Sequence, residues 1–402
     1  GSLDTSFNTG VGFPPSYIRT VYSRRDRGLF VGGGFTTYNG QASNRIVAIN
    51  PDGSLDTRYD FGLGASGNVQ KVLQQSDGKL MAIGSFNRFD GEKRSGAVRI
   101  HGVLDEVAPR AAFDVVSTIQ GIGNMTLGDH DGDRDLDFFA LKGAFGAGGS
   151  ELYDNDGAGY FNLSNKQLAQ QIAALGNNSP WGDYDGDGDL DLFVDDSGKS
   201  PKIFQNNGSE GFTDIQALLY PMNGIRGSVW LDYDNDGDLD LLYSGGSVVD
   251  NVYSPITKLY RNDGQNAFIE VNSGLVPLFA GSVLVGDYDN DGDYDLFFTG
   301  LENPDVARTL LYKNDGKGNF DLINTEIPDL FEGAADWGYY DSDGDLDLFV
   351  SGRTIDYKAV NGLYRNDGSD LFTFVNINIR PQWAGLVKWG DIDNDGDLDL
   401  LS

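Results

Sequence analysis

The residues best placed to do chemistry are aspartates in a fixed pattern. Asp183-Tyr184-Asp185-Gly186-Asp187-Gly188-Asp189-Leu190-Asp191 puts a carboxylate at every odd position and runs into the apolar Leu192-Phe193-Val194. Six such nine-residue stretches begin at residues 129, 183, 232, 287, 339 and 391, spaced by 54, 49, 55, 52 and 52 residues. Crowded carboxylates repel one another, and a hard divalent cation removes that repulsion. Oxygen-only donors suit calcium. Side chains at positions 1, 3 and 5 can converge on one ion, glycine at position 6 permits a sharp turn, and position 7 offers a carbonyl. The aspartate at position 9 closes the shell as the next strand begins.

The candidate metal ligands are therefore Asp129, Asp131, Asp133, Asp135 and Asp137 in the first loop and Asp183, Asp185, Asp187, Asp189 and Asp191 in the second. The third and fourth contribute Asp232, Asp234, Asp236, Asp238, Asp240 and Asp287, Asp289, Asp291, Asp293, Asp295. The fifth has Asp341, Asp343, Asp345 and Asp347, and the sixth has Asp391, Asp393, Asp395, Asp397 and Asp399. An EF-hand shares the D-x-D-x-D-G opening but needs a bidentate Glu at position 12 and flanking helices. Position 12 here is Val194, Tyr243 or another non-acidic residue, and the flanks are β-type runs. Magnesium competes less well because it keeps its waters. Simple acidic turns would not recur six times in phase. Arg134 replaces the position-6 glycine and Tyr339 replaces the first aspartate, so the first and fifth sites should be weaker. The expectation is five to six structural calcium ions. With dissociation constants of about 0.1–1 mM and calcium near millimolar, each would add roughly 0.4–1.5 kcal/mol of stability.

The elements that carry these loops are short strands. A strand ends two residues before each loop, often in Trp (Trp181, Trp230, Trp337, Trp389), and a second follows the loop, as at Leu346–Val350. A third carries Leu259-Tyr260-Arg261-Asn262-Asp263-Gly264, echoed at Leu311–Gly316 and Leu363–Gly368 and more loosely at Leu152–Gly157 and Ile203–Gly208. A fourth is marked by Phe161, Phe212, Phe268, Phe320 and Phe372. Four short antiparallel strands per unit make one propeller blade, and a fixed period near 50 residues is a repeat signature. Lys166–Leu175 alone has a helical period.

Residues 1–106 repeat without the acidic loop. Ser2–Phe7 returns as Ser54–Tyr59, and Phe35–Gly40 (FTTYNG) returns as Phe86–Gly91 (FNRFDG). Runs at Tyr17–Tyr22, Leu29–Gly32, Arg45–Ile49, Val69–Leu73 and Leu80–Ile83 read as strands. The fold class is all-β, a single closed propeller of four-stranded antiparallel blades. Two units in 1–106 and six in 107–402 give eight blades, with seven as the alternative. Residues 2–7 could complete the blade begun by Leu386–Ser402 and remove exposed sheet edges.

The formal charge is −32, with 29 Lys and Arg against 61 Asp and Glu, which disfavours nucleic acid and anionic membranes as partners. There is no cysteine, so disulfides and thiolate metal sites are absent. The longest apolar stretch, around Leu275–Val285, is too short to span a bilayer. Millimolar calcium is an extracellular condition, so a secreted or bacterial cell-surface location is expected. The Gly-Ser start suggests a processed or fragmentary chain, a monomeric module or part of a larger one.

The W-G-D-Y-D-x-D-G-D-L-D-L frame over about residues 110–402 resembles the FG-GAP/VCBS repeats of integrin α-subunit propellers and of secreted bacterial proteins. The first hundred residues resemble the delta-60 type propeller repeats of large bacterial surface proteins, on S-L-D-T-S-F and G-G-x-F-T-T-Y-N-G. The resemblance implies calcium on the loop aspartates along one rim, with ligands bound on the opposite rim or at blade junctions. It implies no substrate.

Neither His101 nor His130 stands in a catalytic motif, and no G-x-S-x-G, H-E-x-x-H or phosphate loop occurs. Calcium saturated by protein oxygens is a poor Lewis acid, so no catalytic residue is assigned. Polar departures from the repeat before the loops, Asn177, Arg226, Asp336 and Lys388, are the candidate ligand-binding residues; Trp383 aligns with Phe279 and Phe331 and reads as core. Three functions stay open. The favoured one is a binding module for cell-surface adhesion or recognition of a glycan or protein. The others are an architectural segment of a large bacterial surface protein and a polysaccharide hydrolase or lyase.

Overall fold

The computed structural model describes residues 12–13, 16–24, 28–74, 79–94, 96–100, 113–118, 122–142, 150–156, 161–164, 168, 179–195, 200–222, 224–249, 252–279, 281–341, 343–377, 387–390 and 399–401. Within them the chain is all-β, a propeller of seven antiparallel blades that follow one another in sequence order. The first has three strands (Ile18–Ser23, Leu29–Gly33, Ile46–Ile49), and the other six have four. Seven was the alternative count. The unit expected to be an eighth blade is present among the described residues as a two-stranded ladder, Lys388–Gly390 with Asp399–Leu401, and residues 2–7, expected to complete it, lie outside the described residues. The second blade takes its fourth strand from Phe113–Thr118, which pairs with Gly96–Ile100. The candidate helix at Lys166–Leu175 lies outside the described residues apart from Leu168.

The expected strands stand where the sequence placed them. Every phased phenylalanine opens a fourth strand: Phe161–Leu163, Phe212–Asp214, Phe268–Val271, Phe320–Ile323 and Phe372–Val375. The FTTYNG and FNRFDG marks prove to be small hairpins, Thr37–Tyr38 with Gln41–Ala42 and Arg88–Phe89 with Glu92–Lys93. Their turns are Asn39-Gly40 and Asp90-Gly91, all four residues left-handed (φ 47°, 76°, 52° and 78°), as a two-residue hairpin turn requires.

The core lies between blades. Strand periodicity sends alternate residues to opposite neighbours: Phe138 packs with Met81 and Ile83 of the second blade, and Phe139 with Leu192 and Phe204 of the fourth. Phe297 and Phe298 divide in the same way. The phased tryptophans serve these junctions. A Cβ on Gly182 would lie 2.5 Å from Trp230 Cδ1, and Gly128, Gly286 and Gly338 sit equally close under Trp181, Trp337 and Trp389. Where the glycine is replaced by Leu231, the next unit has Val285 in place of tryptophan, and both side chains share one cluster. Large-on-small is exchanged for medium-on-medium at nearly constant volume.

Candidate metal centres

Each acidic loop joins the first strand of a blade to its second, as between Gly338 and Asp347. The backbone coils by two left-handed residues. Position 6 has φ of 95°, 95°, 94° and 103° at Gly188, Gly237, Gly292 and Gly344. Position 4, which the sequence reading passed over, is left-handed too, in Gly186 (70°), Asn235 (58°) and Asn290 (59°). Glycine and asparagine are the residues that tolerate this conformation, so the G/N alternation at position 4 was a readable signal. Arg134 keeps the position-6 conformation at φ 75°, at a strain of about 1–2 kcal/mol.

The coil turns backbone N–H groups inward. In the second loop Asp183 accepts N–H bonds from Asp187 (3.1 Å) and Gly188 (3.0 Å); Asp232 and Asp287 repeat the pair in the next two. Asp189, Asp238 and Asp293 donate their N–H groups to the position-5 carboxylates. Position 9 is fully buried in the first five loops, and its two oxygens do different work. Asp191 Oδ2 accepts the Tyr184 N–H at 3.1 Å, while Oδ1 accepts the Asn206 N–H of the third strand at 2.7 Å. The same two bonds recur at Asp137, Asp240, Asp295 and Asp347. Burial pushes the carboxyls of Asp191, Asp240 and Asp295 up to about 7 and that of Asp347 up to about 6; Asp137 shifts the same way.

The loops bring carboxylates together in threes. Asp129, Asp131 and Asp137 converge, as do Asp183, Asp185 and Asp191, and Asp232, Asp234 and Asp240, with one oxygen from each within 4.8 Å of the others. These are positions 1, 3 and 9. In the fourth loop the three are Asp287, Asp289 and Asp291, positions 1, 3 and 5. Position-7 side chains join no group among the described residues. Instead Asn235 reaches Asp293, and Asn290 reaches Asp345 at 2.7 Å, linking the third loop to the fourth and the fourth to the fifth. In the fifth loop the exposed Tyr339 supplies no carboxylate, and no three acidic groups converge among the described residues. Asp391, Asp393, Asp395 and Asp397 of the sixth loop lie outside the described residues, and Asp399 begins the strand after it.

The donor set fits a hard cation. It is all oxygen, and Oδ1 of both Asp234 and Asp289 is buried with no hydrogen-bond partner. A buried carboxylate oxygen without a partner is costly, and a bound cation supplies that partner. Several of these clusters could thus hold metal ions.

The third-strand asparagine, quoted in the sequence as a repeat mark without a role, holds the blades together. Asn262 Nδ2 donates to the Tyr184 carbonyl in the preceding blade's loop (2.8 Å) and to Leu239 O of its own (3.2 Å), and its Oδ1 accepts the Gly264 N–H (3.0 Å). Asn206, Asn314 and Asn366 repeat the arrangement. The position-2 ring beside it stacks on the next blade's tryptophan: Tyr184 on Trp230 and Tyr288 on Trp337, with planes 17° and 12° apart. His130 does the same on Trp181 and bonds Asp154 at 2.9 Å, a buried structural role; His101 lies outside the described residues. Of the four candidate ligand-binding residues, the side chain of Asp336 alone is among those described. Asp336 accepts the Trp389 N–H at 3.1 Å, a bond between adjacent units. Arg226 and Lys388 lie in the strands Ile225–Leu231 and Lys388–Gly390, and Asn177 and Trp383 lie outside the described residues.

Residues 129–194, 183–243 and 339–402 match the FG-GAP-like repeat, and residues 26–59 and 75–102 match the beta-propeller domain of unknown function DUF5122. The chain carries FG-GAP-like repeats and is a propeller of that type. No curated protein matches it. Among solved structures it is similar to an extracellular domain from B. thetaiotaomicron (13% identity, TM-score 0.42), covering 84% of this chain and 39% of that one. It is also similar to the V. cholerae biofilm matrix protein Bap1 (11%, 0.47; 100% and 86%) and to AofleA of Arthrobotrys oligospora (10%, 0.39; 92% and 89%).

Proposed function

We propose that this FG-GAP-type propeller is a calcium-stabilised binding module that works outside the cell, recognising a glycan or a cell-surface protein. The observation that carries the calcium part is the convergence of three carboxylates in four loops, with Asp234 Oδ1 and Asp289 Oδ1 buried and unpartnered. The ions are structural in this reading. Each one holds a coiled loop against the next blade through the position-2 carbonyl and the third-strand asparagine.

The binding part draws on the opposite rim. Register places Gly338 against Asp347 at the metal end of the seventh blade and Arg353 against Ala359 at the other. At that far end the second and third strands vary in length. They have 10 and 11 residues in the fifth blade, 9 and 9 in the sixth, and 4 and 5 in the fourth. A rigid frame with unequal hairpins along one rim suits recognition, with the exposed Tyr357 among the groups offered there.

The test is a screen of glycans and polysaccharides in about 2 mM calcium and again in EDTA, with new reducing ends assayed in parallel. Binding that EDTA abolishes, without cleavage, supports the proposal. New reducing ends would make the chain an enzyme. No glycan binding by demonstrably folded protein would leave a protein partner or an architectural role.

A further inference from the structure

The residue just before the third-strand asparagine varies among units: Asp154, Gln205, Arg261, Lys313 and Arg365. The strand carries it to the mouth of the acidic loop. In the second unit Gln205 donates to Asp185 at 2.5 Å, a neutral contact. Arg261 turns outward to Asp263 (2.5 Å), and Arg365 holds Asp367 (2.6 Å), lying 3.9 Å from Asp341. Lys313 does otherwise. Its ammonium contacts Asp289 directly and lies 3.4 Å from Asp291, positions 3 and 5 of the fourth loop. The equivalent of Asp263 does not hold it: Asp315 accepts the N–H groups of Lys317 (2.9 Å) and Asn319 (3.1 Å) on one oxygen and the Asn319 amide (2.8 Å) on the other. The fourth loop is also the one whose converging carboxylates are positions 1, 3 and 5 instead of 1, 3 and 9. Position 5 joins the group in the loop where the ammonium sits.

We propose that Lys313 is a tethered counter-cation of the fourth loop, which holds that loop together without metal and competes with calcium for Asp289 and Asp291. The inference rests on the reading that the loops take calcium. It goes beyond that reading in ranking the sites: the fourth is weaker than the second and third, although its nine residues match the repeat without a substitution at any aspartate or at the position-6 glycine.

Calcium titration by calorimetry, with thermal unfolding of the metal-free protein, tests it in wild type, Lys313→Gln and Gln205→Lys. The glutamine copies the neutral residue of the second unit. In Lys313→Gln one further site should join the tight class, its affinity rising about two- to fivefold, the reach of one partly exposed ion pair. The metal-free unfolding midpoint should fall. Gln205→Lys should remove one site from the tight class, which keeps the inference testable should the first variant fold poorly. Wild type binding calcium while neither variant changes site classes or the metal-free midpoint would overturn the role of Lys313. Wild type binding no calcium would overturn the calcium reading itself, and this inference with it.

Discussion

At the residue scale the design turns on one buried asparagine and one buried aspartate in each blade that carries an acidic loop. Asn262 satisfies carbonyls of two blades at once, so Asn262→Ala leaves Tyr184 O and Leu239 O buried without that donor. The expected loss is about 2–3 kcal/mol, read from denaturant unfolding in calcium; a loss below 0.5 kcal/mol would show that water replaces the amide. The position-9 carboxyls set a pH dependence. Their folded pKa, near 7 for Asp191, Asp240 and Asp295, exceeds the ordinary value of 3.8. The folded, metal-free chain therefore binds protons that the unfolded chain does not. Its stability should be greatest below the ordinary carboxylate value and fall as pH rises from about 4 to about 7. Calcium binding requires the ionised form, so its stabilisation should grow over the same window. Thermal midpoints at pH 5 and pH 8, with calcium and with EDTA, check both signs. An EDTA midpoint higher at pH 8 would contradict the burial argument.

At the element scale the junction between blades is a matched pair: a glycine at the end of one first strand and a tryptophan on the next. Strands, period and loop were legible because apolar alternation and one punctuation mark recur through all six acidic-loop units. The junction was not, because its two halves lie about 50 residues apart in sequence and meet face to face only once the blades stack. The swap of Leu231 with Val285 shows what a sequence search could have used, since glycine and tryptophan fail together. Gly182→Leu should therefore cost several kcal/mol by driving a side chain into Trp230. Adding Trp230→Val should recover part of that loss by copying the natural swap. A double mutant no more stable than the single would show that the pairing does not determine the packing.

At the scale of the whole molecule, the chain combines two ways of joining blades. The first and second blades meet through an apolar cluster of Phe30, Ile46, Phe61, Val69, Phe86 and Phe89 among others, with the buried Arg24–Asp56 pair (2.7 Å) beside it and no acidic loop. From the third blade onward each junction adds a coiled loop whose carboxylates repel one another when no cation is present, and the loops are tied in series by Asn235–Asp293 and Asn290–Asp345. The sequence showed the repeats but gave eight blades as the first count, because a unit period counts loops and cannot say whether the last unit completes a sheet. Removing calcium should act unevenly on such a molecule. Backbone amides of residues 192–194 and 241–243, which follow the second and third loops, should lose hydrogen-exchange protection in EDTA at conditions where those of residues 30–31 and 81–83 keep it. Repulsion is local to the loops, and the first two blades have none to relieve. Equal loss of protection across all four segments would mean that the propeller opens as one cooperative unit and that calcium stabilises the fold globally, not blade by blade.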